Sequence, residues 1–283
     1  MKEINLVGSG CHNDVINRIT NHQHAHVNNS HKIQLHNGDC LGVMAKLPAN
    51  SVDFVLADLP YAVTQQKWDS LIPTNQLWPA YDRVCKPAAS IVLTATNPFA
   101  SLLIASQPKW FRYDMVWLKN KKTGFLNAGH MPLRQHELVL VFRKTGKGTY
   151  HPQKSAGHAP VNAVTLREKA VGPAVYGSMR KRTASGGSTE RHPTSVLHFA
   201  VVNNDDPCRI HRNQKPVALL EFLIRTYSNP GDVVLDNTMG SGSTGVACLN
   251  TGRSFVGIEQ NTTFFIGAVT RINQAAKIAA GTN

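Results

Sequence analysis

Two short stretches carry residue types that could do chemistry. The first is Asp236-Asn-Thr-Met-Gly240-Ser-Gly242-Ser-Thr-Gly245, between the apolar run DVVLD and the helical pattern of TGVACLNTG. Glycines in such a turn let a ligand come close to the backbone, and the first N–H groups of the helix behind them lack intrahelical partners. Glu259 ends the next apolar run, SFVGIE. A carboxylate at that place can accept both hydroxyls of a ribose. The spacing predicts a nucleoside-cofactor site on a strand–turn–helix–strand unit. The second stretch is Asp58-Leu59-Pro60-Tyr61, at the end of SVDFVLAD. An acid, a constrained backbone and an aromatic ring together suit a flat base bearing an amino group.

Gly240, Gly242 and Gly245 also satisfy the pattern GxGxxG, so a dinucleotide-dependent oxidoreductase is a rival reading. In that fingerprint the first glycine follows its strand closely. Here Asn237, Thr238 and Met239 intervene after Asp236, and the unit is the last of its kind in the sequence.

These stretches need a scaffold that brings strand ends together. Apolar runs predict seven strands, at 32–39, 51–58, 89–96, 113–119, 137–143, 232–236 and 254–259. Helical patterns fall near 41–47, 74–85, 98–107, 214–228, 244–252 and 262–277, the fifth of these closed by Gly252. Such alternation implies an α/β fold with a mostly parallel, doubly wound seven-stranded sheet and helices on both faces. The texture changes between Thr145 and His192, which is rich in Gly, Ser, Pro and His. Its cations, among them Lys147, Lys154, Arg180, Lys181, Arg182 and Arg191, face only Glu168 and Glu190. A loop-rich insert of this length in a compact domain is commonly functional. The predicted organisation is a flexible extension at 1–30, a first half-domain at 31–144, the insert at 145–205 and a second half-domain at 206–283.

The chain of 283 residues carries a net charge of +13, with an excess of Lys and Arg that suits a polyanionic partner. No apolar run approaches the roughly 18 residues of a membrane span, and MKEINLVGSGCHND lacks a secretory pattern. A cytoplasmic location without a membrane partner is expected. The five cysteines, Cys11, Cys40, Cys85, Cys208 and Cys248, are scattered and never spaced CxxC, which argues against disulfides and zinc. His22, His24 and His26 alternate in a polar stretch without helical periodicity, and no metal is assigned to them.

Taken together, Gly38-Asp39, Asp58-Leu59-Pro60-Tyr61, Gln214-Lys215-Pro216, the turn from Asp236 to Gly245 and Gly257-Ile258-Glu259 resemble the beta class of DNA amino-methyltransferases. That family's pattern is close to GD…DPPY…QKP…DPFxGSGTTG…GIE, and the match covers roughly 32–145 and 211–275 in the same order. The stretch GFLNAGHMPLRQHE followed by LVLVF is similar to phage and prophage members.

The resemblance implies a Rossmann-like methyltransferase fold and transfer of a methyl group from S-adenosylmethionine to the exocyclic amine of a flipped base in double-stranded DNA. It implies that Asp58 and the Leu59 carbonyl accept the amino hydrogens on the loop that Pro60 shapes, while Tyr61 stacks on the base. Gly240 and Gly242 would pass beneath the cofactor's methionine part, with Asp236 and Thr238 nearby and Lys215 near its carboxylate. Glu259 would hold the ribose, Asp39 the adenine amino group, and the 145–205 insert would recognise the target. Aspartate at position 58 favours adenine N6 over the alternative, cytosine N4. Two positions depart from the pattern. Leu59 replaces a proline, and Thr238 replaces a phenylalanine that would pack against the cofactor. They make a decayed DNA-binding relative the reading from a different class, distinguished by the absence of cofactor affinity. The resemblance also admits a homodimer and a cognate restriction enzyme as partners.

Overall fold

The computed structural model describes residues 32–61, 71–160, 187–206, 209–211 and 213–279. Its central sheet forms because several strands are apolar on both faces. In β2, Val52–Asp58, Val55 and Ala57 enter one core while Phe54 and Leu56 enter the other. Such two-sided burial is what a parallel strand needs. β1 (Ile33–Asn37), β3 (Cys85–Ala95), β7 (Val233–Asp236) and β8 (Ser254–Glu259) join β2 in parallel. β4 (Phe111–Thr123) and β5 (Arg134–Arg143) form an antiparallel hairpin that enters the sheet through β5 beside β3.

Helices cover both faces, as the alternation predicted. On one side lie α1 (Cys40–Met44), α2 (Thr74–Val84) and α3 (Phe99–Ser106), through Met44, Leu77, Trp78, Tyr81 and Leu103. On the other lie α4 (Val217–Tyr227), α5 (Ser243–Thr251) and α6 (Thr262–Ala279), through Leu223, Ala247, Phe265 and Ile272. Gly252, at φ 71°, ends α5 in a left-handed cap.

The sheet has eight strands in the order β1-β8-β7-β2-β3-β5-β4-β6, rather than the seven expected from the sequence. The addition is β6, Val196–His198, which pairs in parallel with β4. It buries only Leu197, so it carries no readable alternation. β4 and β5 also run past their apolar segments, because a hairpin can continue through polar residues once its register is set. The strand order has one consequence for the site. β1, β8, β7 and β2 are consecutive and parallel, so Asp39, Glu259, Asp236 and Asp58 fall in a row along one edge.

Candidate active site

Asp58 ends β2, in register with Thr94 on β3. Its Oδ1 accepts hydrogen bonds from the Tyr61 hydroxyl at 2.6 Å and the Thr94 hydroxyl at 2.5 Å. Its Oδ2 accepts from Lys215 Nζ at 2.5 Å. A carboxylate oxygen has two acceptor positions. Oδ1 is therefore filled, and among the described residues Oδ2 accepts one of the two donors it can take. Leu59 is 3% exposed, its side chain packed into the α1–α3 core. That apolar anchor stands where the ring constraint of a proline is missing. Pro60 and Tyr61 are half-buried, and the Tyr61 ring lies 5.2 Å from that of Phe99.

Lys215 sits just before α4 and reaches between two acids, Asp58 Oδ2 and, at 3.3 Å, Glu137 Oε2. Burial alone would pull its pKa down, but the two carboxylates outweigh that and hold the ammonium above its ordinary value. Glu137 also pairs with Lys119. Burial would raise its pKa, whereas Lys215 and Lys119 bring it below the usual carboxylate value. A charge chain thus runs from Asp58 through Lys215 and Glu137 to Lys119.

Next to Asp58 stands the glycine turn after β7. Asp236 is buried, with Oδ1 accepting the Thr238 N–H at 3.1 Å and Oδ2 the Thr244 hydroxyl at 2.6 Å. Burial pushes its pKa up to about 7. The Thr238 side chain crosses to β2, its hydroxyl donating to the Asp58 backbone carbonyl at 3.1 Å. Gly240 takes φ 49° and donates its N–H to Glu259 Oε2 at 3.0 Å. Glu259 Oε1 accepts the Asn261 N–H at 2.8 Å, and burial raises this acid too. Asp39 caps α1, accepting the Gly42 N–H at 2.8 Å.

These groups line one crevice of about 360 Å³, with Asp39, Asp58, Lys215, Asp236, Thr238 and Glu259 on its wall. The size is that of a small-molecule site. Asn237 lines it as well. Its Oδ1 accepts from Tyr81 at 2.7 Å, while its buried Nδ2 has no hydrogen-bond partner among the described residues. Several carboxylates and an unpaired amide donor suit a ligand that is cationic and also bears acceptors.

A family profile described as DNA methylase (N6_N4_Mtase) matches residues 52–269. The chain belongs to this N6/N4 DNA methylase family. It is 29% identical over 263 residues to the DNA adenine methyltransferase YhdJ of Escherichia coli K12, covering 86% of this chain and 83% of the relative. Among solved structures, the fold is similar to the PvuII DNA methyltransferase, cytosine-N4-specific, at TM-score 0.61 and 14% identity, covering 89% of this chain and 93% of the other. It is also similar to the M1.HpyAVI–SAM complex, at TM-score 0.57 and 21% identity, covering 85% and 99%.

In this DNA methylase the two predicted motifs meet, with Lys215 lining the crevice beside both. Lys215 puts its ammonium on Asp58. Gly240 lines the crevice, whereas Gly242, at φ 73°, turns toward α6. A Cβ on Gly242 would meet Ala268 and Ile272 at 3.0 Å, so its role is close packing. Of the predicted DNA contacts, Lys147 is exposed. Lys154 pairs with Glu190 at 2.8 Å, and Arg191 donates to the carbonyls of Ser188 and Glu190 at 3.0 and 2.9 Å. Both lie at the antiparallel Ser155–Arg191 bridge. Arg180, Lys181 and Arg182 lie outside the described residues, as do the extension at 1–30, Cys11, Cys208 and His22, His24 and His26. Cys40, Cys85 and Cys248 are buried free thiols. No helix among the described residues is long and apolar enough to cross a membrane.

Sequence reasoning missed Glu137, Thr94 and Asn237. Glu137 offered a signal, since an acid opening the otherwise apolar run ELVLVFR must find a cation when that strand is buried. Thr94 and Asn237 offered none.

Proposed function

We propose that this chain transfers a methyl group from S-adenosylmethionine to the exocyclic amine of a base in duplex DNA, with adenine N6 as the target. One observation carries the reading. Asp58 is fixed by Tyr61, Thr94 and Lys215, and among the described residues Oδ2 accepts one of the two donors it can take, at the crevice wall. An exocyclic amine is a poor nucleophile because its lone pair is delocalised into the ring. Oδ2 and the Leu59 carbonyl, each accepting one N–H, would favour a pyramidal nitrogen with a localised lone pair. Fixed acceptors of this kind act without reorganising when charge develops.

When bound, S-adenosylmethionine supplies an activated methyl group on a sulfonium. The residues present fit it. Asp236 and Glu259 would offer carboxylates to a cationic ligand, Glu259 would accept ribose hydroxyls, and the Asn237 amide has no partner for its Nδ2 among the described residues. Asp39 and Gly240 complete that wall. Thr238 does not restore the aromatic contact. Instead it ties the turn to the Asp58 carbonyl, which holds the two sites in fixed relation.

A base within a duplex must be flipped to reach Asp58, at a cost of a few kcal/mol. Stacking on Tyr61 returns about 1–3 kcal/mol of that, and phosphate contacts from the 145–205 segment, Lys147 among them, offset the rest. The same reading makes that segment the target-recognition region, between the halves at 31–144 and 206–283. It also places the protein in the cytoplasm, where its DNA lies.

The test is nucleoside mass spectrometry on DNA from cells expressing the chain or its Asp58→Ala variant. N6-methyladenine should appear with the parent and fall by about 10²–10³-fold in the variant, the scale of one transition-state hydrogen bond. N4-methylcytosine instead would move the assignment to the other amine. Equal levels with parent and variant would reject the role of Asp58.

A further inference from the structure

The distal half of the β4–β5 hairpin takes no part in the crevice. The sheet register fixes where it points. β5 is antiparallel to β3, with Leu138 opposite Ala95, so residues 134–137 lie beyond the edge where β2 and β3 end. Glu137 meets Lys215 there. Arg134, paired with Thr123, lies farther out by about 10 Å at strand spacing. Beyond that pair the chain turns through a 3₁₀ segment, Phe125–Asn127. Ala128 N–H bonds to the Phe125 carbonyl at 3.2 Å and Met131 N–H to the Asn127 carbonyl at 3.0 Å. The tip is therefore an ordered projection overhanging the catalytic edge.

Its surface is unusual in two respects. Leu126 is 100% exposed, Phe125 67% and Met131 58%, a cluster of large apolar groups in water. Such a cluster commonly marks an interaction site. Around it Lys121, Lys122 and Arg134 are exposed, and no acidic residue occurs from Asn120 to His136. None of these three cations pairs with a carboxylate among the described residues. An isologous contact with a second copy would set these cations against their own images. A polyanion with apolar planes between its charges matches both features.

We propose that the hairpin tip docks on duplex DNA beside the target base. Phe125 and Leu126 wedge into the base stack, and Lys121, Lys122 and Arg134 neutralise flanking phosphates. The inference rests on the DNA-methylating reading of the neighbouring crevice, and it adds the element that opens the stack. Apolar wedges between base steps are an established way to unstack a duplex, and the contacts they gain offset the cost.

The experiment compares binding of a mixed-sequence duplex with binding of the same duplex carrying an abasic site, where the gap exists beforehand. The parent should prefer the abasic duplex roughly tenfold. Phe125→Ser/Leu126→Ser should lose that preference, and Leu126→Met should keep it. Lys121→Gln/Lys122→Gln/Arg134→Gln should weaken both complexes and lower the slope of log affinity against log salt by about 2.7. S-adenosylmethionine titration is run in parallel and should be unaffected by any of these changes. A parent without cofactor affinity, but with an abasic preference that the serine variant abolishes, would remove the crevice reading and leave the wedge standing. A serine variant that keeps the preference would overturn the proposal. So would one that binds both duplexes like the parent and alters only self-association in sedimentation without DNA.

Discussion

Asp236 makes cofactor affinity pH-dependent in a direction that can be worked out. The side chain is 4% exposed, and burial pushes its pKa from 3.8 to about 7. Near neutral pH it is therefore partly protonated, in a crevice that must receive a sulfonium. An opposite charge brought within about 4–6 Å lowers a carboxyl pKa by about 1–3 units. By linkage, affinity for the cation must rise as pH rises through 7. Kd should fall about five- to tenfold, roughly 1–1.4 kcal/mol, between roughly pH 6 and pH 8. Calorimetry in buffers of different ionisation enthalpy measures both the affinity and the proton released on binding.

Asp236→Asn keeps an acceptor for the Thr238 N–H and a partner for Thr244, so it should preserve the turn and flatten the profile. The stability of the apoprotein should follow the reverse trend. Between about pH 4 and pH 7 the unfolded chain has released this proton and the folded one has not, so stability declines over that window and levels off above it. Three pKa units set its scale at about 4 kcal/mol. Equal pH slopes for parent and Asp236→Asn, or an affinity that falls with pH, would refute the reasoning.

Two further perturbations test the strand-tip network. Lys215→Met leaves Asp58 Oδ2 and Glu137 Oε2 without their shared cation, and should cost about 3–5 kcal/mol by denaturant unfolding. Thr238→Val removes the hydroxyl donated to the Asp58 carbonyl and should cost about 1 kcal/mol and lower turnover, whereas Thr238→Ser should retain both.

The elements around the site were legible in the sequence because each strand that carries a site residue is a compact apolar run with breakers at its ends. SVDFVLAD, DVVLD and SFVGIE became β2, β7 and β8 within a residue or two. Their adjacency followed from the α/β pattern, since parallel strands put their carboxyl ends on one edge. What stayed hidden was set by tertiary pairing. β6 is three residues long with one buried side chain, too short for any period. The distal part of β4 is polar, and its strand character comes from cross-strand bonds to β5. Lys215 was placed by its motif near the cofactor. Its pairing with Glu137 stayed hidden, because Glu137 reaches it through the antiparallel register of β5 on β3.

That network bears on the two departures from the family pattern. A proline at 59 would restrict the loop through φ, and an aromatic ring at 238 would restrict the cofactor by contact. This chain uses neither, and both substitutes bind the protein to itself. Leu59 anchors the loop by burial, and Thr238 anchors the turn by a hydrogen bond to the Asp58 carbonyl. Lys215 adds a cross-link from the segment before α4, and Tyr81 ties Asn237 to α2. The Asp58–Tyr61 segment and the turn after β7 lie far apart in sequence, and Thr238 donates directly from the second to the Asp58 carbonyl of the first. Cofactor binding that orders the turn must therefore act on the position of the Asp58 carbonyl, and with it on the adjoining Leu59 peptide. In a protein whose two sites were held separately by a proline and an aromatic ring, that coupling would be weaker. On the proposed function, occupancy of the cofactor site and alignment of the target amine would both act through this one hydrogen bond.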